Sequence, residues 1–180
     1  MDGDGPLLVC YDGSEGAREA LEAATRVLAS REAVVACYWQ PFGVATRRFA
    51  VDLLELVQDA DSINEREEAQ ARQLADEGAE RARAAGLDAE AAAVKISTPI
   101  DEAILNHAED IDAAAIVLGS RSRPSLRSLI LGDVANEVVQ RATRPVFVSP
   151  SSALARRRHE ELTRELRDSD ATVTRGGQAH

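Results

Sequence analysis

The feature that most limits what this chain can fold into is its alternation of short, β-rich apolar runs with helical patterns. Residues 7–11 (LLVCY) end at Asp12-Gly13-Ser14, a turn from which a helix starts. Ser14 is placed to cap that helix, and Ala17, Ala20, Leu21, Ala24, Val27 and Leu28 recur at helical spacing. Residues 33–39 (AVVACYW) read as a second strand, closed by Gln40-Pro41. An irregular stretch follows from 42 to 61, in which AVDLLELVQ suits a short helix. Residues 62–85 read as a long Ala/Glu/Arg helix, with Ser62 and Glu65 spaced as a capping box and Gly86 as the stop.

The alternation continues to residue 150. Residues 88–96 make a modest strand, and Thr98-Pro99 opens a helix through Ala108, with Thr98 as N-cap and Pro99 at its first position. Residues 113–118 (AAAIVL) are strongly apolar, and Gly119 opens a loop to Leu131. Gly132 begins a helix through Ala142, and residues 145–148 are a last strand. Strands separated by helices, and apolar enough to be covered on both faces, predict an α/β domain: a five-stranded parallel, doubly wound sheet with helices on both sides. That domain spans residues 1–150. Residues 151–180 form a charged tail with six arginines against five acids. ARRRHEELTRELRD within it suits a helix, with TVTRGGQAH disordered after it. Its apolar stripe (Leu154, Leu162, Leu166) is too sparse to hold a free helix, so 153–168 is expected to be helical only when docked, on its own subunit or on a dimer partner. The alternative is an extension without structure or role.

The 180 residues suffice for one domain with a self-supporting core, needing no disulfide or metal. A net charge of −10 argues against nonspecific nucleic-acid binding, which needs a basic face. Most of that charge falls on residues 52–90, where twelve acids face four arginines; a solvated helix face explains it. Only Lys95 of the 21 basic residues is lysine, which fits a codon bias or, alternatively, a high-salt habitat. Neither a membrane span nor a signal peptide is legible, so the chain reads as cytoplasmic, with no membrane partner. Cys10 and Cys37 lie inside apolar runs and His107, His159 and His180 are scattered, which argues against a metal site. The two cysteines read as core; neighbouring strands leave a reversible disulfide open.

Two loops can meet at the carboxyl edge of such a sheet, where ligands bind. One is Tyr11-Asp12-Gly13-Ser14. The other is GSRSRPSLRSLILGD (119–133), with Arg121, Arg123 and Arg127 and no acid before Asp133. A glycine-containing loop leading into a helix N-terminus is a phosphate cradle or an ordinary capped connection. No nucleophile–base pair or carboxylate dyad appears, and His107 reads as a partly exposed helical residue. Nothing in the sequence supports turnover beyond a slow, incidental ATPase.

The blocks LLVCYDGSEGAREALEAA and VLGSRSRPSLRSLILGDVANEVVQRATRPVFVSP resemble the universal stress protein family over residues 5–150. The resemblance implies a Rossmann-like sheet of order 3-2-1-4-5, usually a homodimer, and in one branch ATP at the switch point between strands one and four. That branch carries G-x2-G-x9-G-[S/T]. Gly119 and Gly132 match its first and third glycines, whereas Ser122 replaces the second and Asp133 the hydroxyl residue. A serine adds a Cβ where backbone approaches phosphate. A carboxylate about 4 Å from a phosphate charge costs about 4 kcal/mol at an effective dielectric near 20. Asp133 otherwise caps the helix starting near Val134.

Asp12 matches the family's acid after strand one, which contacts the adenosine part; an Asx-turn is its plain alternative. Tyr38 falls where the family places an adenine-facing residue, to stack on a base or to fill the pocket. The reading is therefore a non-enzymatic stress-response protein whose adenine-nucleotide site is modified and its ATP binding weakened or lost. The alternative is a competent ATP switch, with or without Mg²⁺, using Arg121, Arg123 and Arg127 on the phosphates. The resemblance also implies a homodimer through the last strand (Val146, Phe147, Val148). The run Arg156-Arg157-Arg158 is expected to meet the acidic helix at 62–85.

Overall fold

Leu7–Cys10, Glu32–Trp39, Asp88–Lys95, Ala115–Ser120 and Val146–Pro150 form strands β1 to β5 of one all-parallel sheet, ordered β3-β2-β1-β4-β5. Helices α1 (Glu15–Val27), α2 (Ala60–Ala84), α3 (Ile100–Asp110) and α4 (Asp133–Arg141) lie between successive strands, and α5 (Ser152–Gly176) follows β5. This computed structural model describes residues 5–28, 32–42, 60–120 and 133–176.

Strand alternation sorts the core into two layers, because successive side chains leave a strand on opposite faces. Leu7, Val9, Val35 and Val117 join Ala20, Leu21 and Ala24 of α1 and Ala79 and Ala82 of α2 on one face. Leu8, Ala36, Ile116 and Leu118 pack on Ile104 and Ala108 of α3 and Ala135 and Val138 of α4 on the other. A third cluster sets Cys37 and Trp39 against Ala71 and Ala75 of α2. Alanine recurs at these contacts, which lets α1 and α2 ride close on the strands.

Helix ends follow local chemistry. The Ser14 hydroxyl accepts the Ala17 N–H of α1. Gly86, at φ +94°, ends α2 with Leu87 N–H donating to the Ala82 carbonyl and Gly86 N–H to that of Arg83, the paired bonds of a left-handed C-terminal cap.

Several sequence expectations are corrected. Val27 completes the helical period but is 69% exposed, lying at the last turn of α1 beyond the sheet's cover. Helix α2 already includes Ala60, so Ser62 sits inside it rather than at its cap. Pro99, with extended backbone, takes the N-cap of α3 in place of Thr98 and offers no side-chain acceptor. Strand β4 starts at Ala115 and runs through Gly119, which therefore belongs to the strand rather than opening a loop. The expected AVDLLELVQ helix lies outside the described residues.

The tail is also more regular than expected, with helical backbone reaching Gly176 and so covering the first half of TVTRGGQAH. Ser151 starts α5, its hydroxyl accepting the Leu154 N–H at 3.3 Å, and the Ser152 N–H donates to Glu19 of α1. Leu162 and Leu166 stand 60% and 62% exposed, so this part of α5 is not docked on its own subunit. Among the described residues, the ion pairs of α2 join Glu77 to Arg18 and Arg81, and Glu68 to Arg72; none reaches Arg156, Arg157 or Arg158.

Candidate functional site

The order 3-2-1-4-5 puts the topological switch between β1 and β4, and their carboxyl ends frame the candidate site. Asp12 leaves β1 there, exposed, and its Oδ1 accepts the Ser14 N–H at 3.0 Å. The Asx-turn expected of it is therefore formed and feeds the capped start of α1. Gly119 stands near the end of β4, in van der Waals range of the α1 backbone. Ser120 closes the strand, only 3% exposed, and its hydroxyl has no hydrogen-bond partner among the described residues.

Tyr38, near the end of β2, sits half-buried among the residues under α3. Its hydroxyl lies 3.0 Å from His107 Nδ1, and the two rings meet edge to face at 5.9 Å. Desolvation pushes the Tyr38 phenol far up, with the neighbouring Cys10 adding to the effect. Burial lowers the His107 imidazole from 6.5 against the opposing pull of Asp110. A neutral imidazole accepting from a protonated phenol follows from both shifts. Sequence reading assigns His107 no such partner, since 69 residues separate the two side chains and no spacing signals the contact.

Cys10 belongs to the same cluster as Tyr38, and burial raises its thiol to about 12. Cys37 rises to about 11, again by burial. The two cysteines occupy adjacent strands, but Cys10 is paired with Ala36, so Cys37 lies one residue on and on the opposite face. That geometry removes the disulfide left open by the sequence. Both thiols are free.

Behind Asp12 a second polar cluster fixes α1 to α2. The Tyr11 ring is buried, and its hydroxyl donates to Glu77 Oε1 at 2.9 Å while accepting from Arg18 Nε at 3.3 Å. Arg18 and Arg81 both pair with the same carboxylate at 3.1 Å. Tyr11, the residue before Asp12, thus anchors the site's first loop to α1 and α2.

Asp133 and Val134 begin the described part of α4. Asp133 is exposed and lies in the first turn of the described part of α4. An acid there is favoured by the helix dipole without serving as the cap. Arg121, Ser122, Arg123, Arg127 and Gly132 lie outside the described residues. Of the expected set, Asp12, Tyr38 and Gly119 come together at the carboxyl edge. Ser120 was missed, although its place two residues beyond Leu118 in a strand already signals the same face.

A cavity of about 90 Å³ lies at the opposite, amino-terminal edge, lined in part by Asn106, Glu109, Ile116 and Arg144. There Arg144 binds Glu109 at 3.0 Å and Asp112 at 2.7 Å, and Thr143 donates to Glu109. These contacts tie the end of α3 to the turn before β5. The arginine is already matched by two carboxylates, so the cavity is structural. No cluster of three or more metal-ligating side chains occurs among the described residues, and no described helix is long and apolar enough to cross a membrane.

The universal stress protein family model matches residues 5–150. The chain is 28% identical over 144 residues to universal stress protein YxiE of Bacillus subtilis (strain 168), covering 79% of this chain and 96% of that protein. Its fold matches a universal stress protein from Archaeoglobus fulgidus at TM-score 0.59 and 26% identity, over 80% of this chain and 97% of that one. It also matches an Arabidopsis thaliana universal stress family protein with AMP bound, at TM-score 0.58 and 15% identity, over 83% and 93% of the two chains.

Proposed function

The chain belongs to the universal stress protein family, and on that footing we propose that it is a non-enzymatic stress-response protein with a modified adenine-nucleotide site at the β1/β4 switch point. The observation that carries the reading is the strand order, which sets the end of β1, where Asp12 follows, beside the carboxyl end of β4 at the topological switch, under a family match over residues 5–150. A mononucleotide in the fold relative from Arabidopsis thaliana supports the ligand class.

Asp133 is what modifies the site. Its carboxylate accepts hydrogen bonds and donates none, and it repels phosphate by about 4 kcal/mol at about 4 Å. The penalty grows with phosphate charge, so ATP is held less well than AMP. Equilibrium titration with AMP, ADP and ATP, with and without Mg²⁺, tests this. Weaker binding of ATP than AMP, reversed in Asp133→Ser, is expected; tight ATP binding that Asp133→Ser barely changes would favour the second reading. In that reading Arg121, Arg123 and Arg127 hold the phosphates of a competent ATP switch, and Arg121→Ala abolishes binding. Its support is the acid-free run that contains them.

The same family membership underlies a homodimer through β5. Val146, Phe147 and Val148 are only half-buried, and β5 is an edge strand paired on one side. Light scattering at twice 19.3 kDa is expected, and a monomer at micromolar concentration would refute it.

A further inference from the structure

We propose that α5 pairs antiparallel with the α5 of a second copy of this chain, through the face formed by Ala155, His159, Leu162 and Leu166. The pairing is independent of the nucleotide reading and of the β5 contact.

On its own subunit that face is bare. The first turn of α5 is tied down, since the Ser152 N–H donates to Glu19 and the Ser151 hydroxyl accepts the Leu154 N–H. Beyond it, the hydrogen bonds of α5 among the described residues are its own, such as the Thr163 hydroxyl donating to the His159 carbonyl. Leu154 and Arg158 are half-buried, but further along Leu162 and Leu166 stand bare, with Ala155 and His159 exposed beside them. Positions 155, 159, 162 and 166 recur at helical spacing and so share one side. A 25-residue helix held at one end gains little from propensity alone and needs that side covered.

Charge selects the occupant. Residues 152–159 carry three arginines and no acid, whereas 160–170 carry five acids and two arginines. A parallel pair would set arginine beside arginine and acid beside acid. An antiparallel pair centred between Glu160 and Glu161 sets Leu162 level with the partner's His159 and Leu166 level with the partner's Ala155. The large residue meets the small one, which lets the helices close to about 8–10 Å. Positions 158 and 165, seven apart, lie on one flank of this face, so Arg158 comes within one turn of the partner's Glu165. Asp168 and Asp170 come level with the start of the partner helix, where the helix dipole favours acids. Positions 160 and 161, at the centre, fall on the far side of the helix from the leucines. Each half of the contact repeats the other, as a two-fold axis requires. The acids beside the leucines argue against an anionic lipid surface as the occupant.

Sedimentation of a dilution series tests this on the full chain. The parent should self-associate, and Leu162→Ser/Leu166→Ser should need at least about tenfold higher concentration to reach the same mass. Arg158→Glu should weaken association too, and the swapped chain Arg158→Glu/Glu165→Arg should recover it. Spin labels on Ala153→Cys and on Glu160→Cys read the geometry, because burial keeps both native thiols protonated. The 160 labels of two copies should come together, with the 153 labels at least about 10 Å further apart, at 1.5 Å of rise per residue. Equal separations at both sites would mean a parallel pair. Associated copies whose 160 labels stay apart would place the partner elsewhere, on the acidic α2 or on β5. Either result overturns the proposal, as does a parent that stays monomeric, association that the leucine pair leaves unchanged, or a swap that recovers nothing.

Discussion

A Cβ on Gly119 of β4 would fall 2.5 Å from the carbonyl carbon and oxygen of Gly16 in α1. The contact is backbone against backbone, so no side chain can swing away to relieve it. Gly119 therefore lets α1 seat on the end of β4, whatever it also does for a ligand. Gly119→Ala is expected to cost about 3 kcal/mol, the upper range for overpacking a rigid site. Gly16→Ala, whose Cβ would meet the Ser120 carbonyl oxygen at 3.2 Å, should cost less. Chemical denaturation of both variants gives the ranking, and an unperturbed Gly119→Ala would show that α1 is free to shift.

His107 provides a pH prediction. Its folded value lies below 6.5 because burial disfavours the imidazolium. The unfolded chain therefore takes up the proton first as pH falls. Stability contributed by the neutral ring is complete above about 6.5 and declines as pH drops toward the folded value. An NMR titration should place the His107 midpoint below 6.5, and Tyr38→Phe should move it by removing the hydroxyl at Nδ1. A midpoint at or above 6.5 would contradict the buried contact.

The thiols offer an accessibility test. Raised by burial to about 12 and about 11, Cys10 and Cys37 remain protonated near neutrality. Iodoacetamide at pH 8 should modify neither in the native protein and both after unfolding, since the thiolate is the nucleophile. Fast native alkylation of Cys10 would mean that the group under α3 opens readily.

At the amino-terminal edge, the Arg144 guanidinium and the Thr143 hydroxyl hold the Glu109 carboxyl below 4.5. The stability it contributes is present above about 4.5 and is lost as pH falls through the lowered folded value. Arg144→Ala should return Glu109 toward 4.5, lower the melting temperature at neutral pH and flatten the acid-side decline. A carboxyl resonance that titrates identically in the variant would break this account.

On α5, Leu162 and Leu166 make no burial worth losing within the subunit. Replacing both by serine should change the unfolding free energy of the dissociated chain by less than about 0.5 kcal/mol. A concentration-dependent drop in melting temperature would reveal a partner copy on that face.

The sheet was legible in the sequence because its evidence is local. Runs such as LLVCY and AAAIVL are too apolar to have an exposed face, and the helices between them leave a parallel crossover as the way to bury both sides. Ser14 and Gly86 mark helix ends for equally local reasons, one hydroxyl and one missing Cβ. Where a boundary turned on competition between neighbours, local reading failed: Pro99 displaced Thr98, and Ser62 fell inside a helix that starts earlier. The resemblance of the two terminal blocks singled out Asp12, Tyr38 and Gly119, but not what each touches. Tyr38 meets His107 across 69 residues, and Arg144 meets Glu109 across 35; neither separation has a periodicity to read. Cys10 and Cys37 were near enough for a bridge until register put them on opposite faces. The burial of Ser120 is likewise a property of packing, since a lone serine carries no sign of whether it will be covered. Sequence determined which segments had to be buried; only the tertiary structure decided which polar atoms were buried with them.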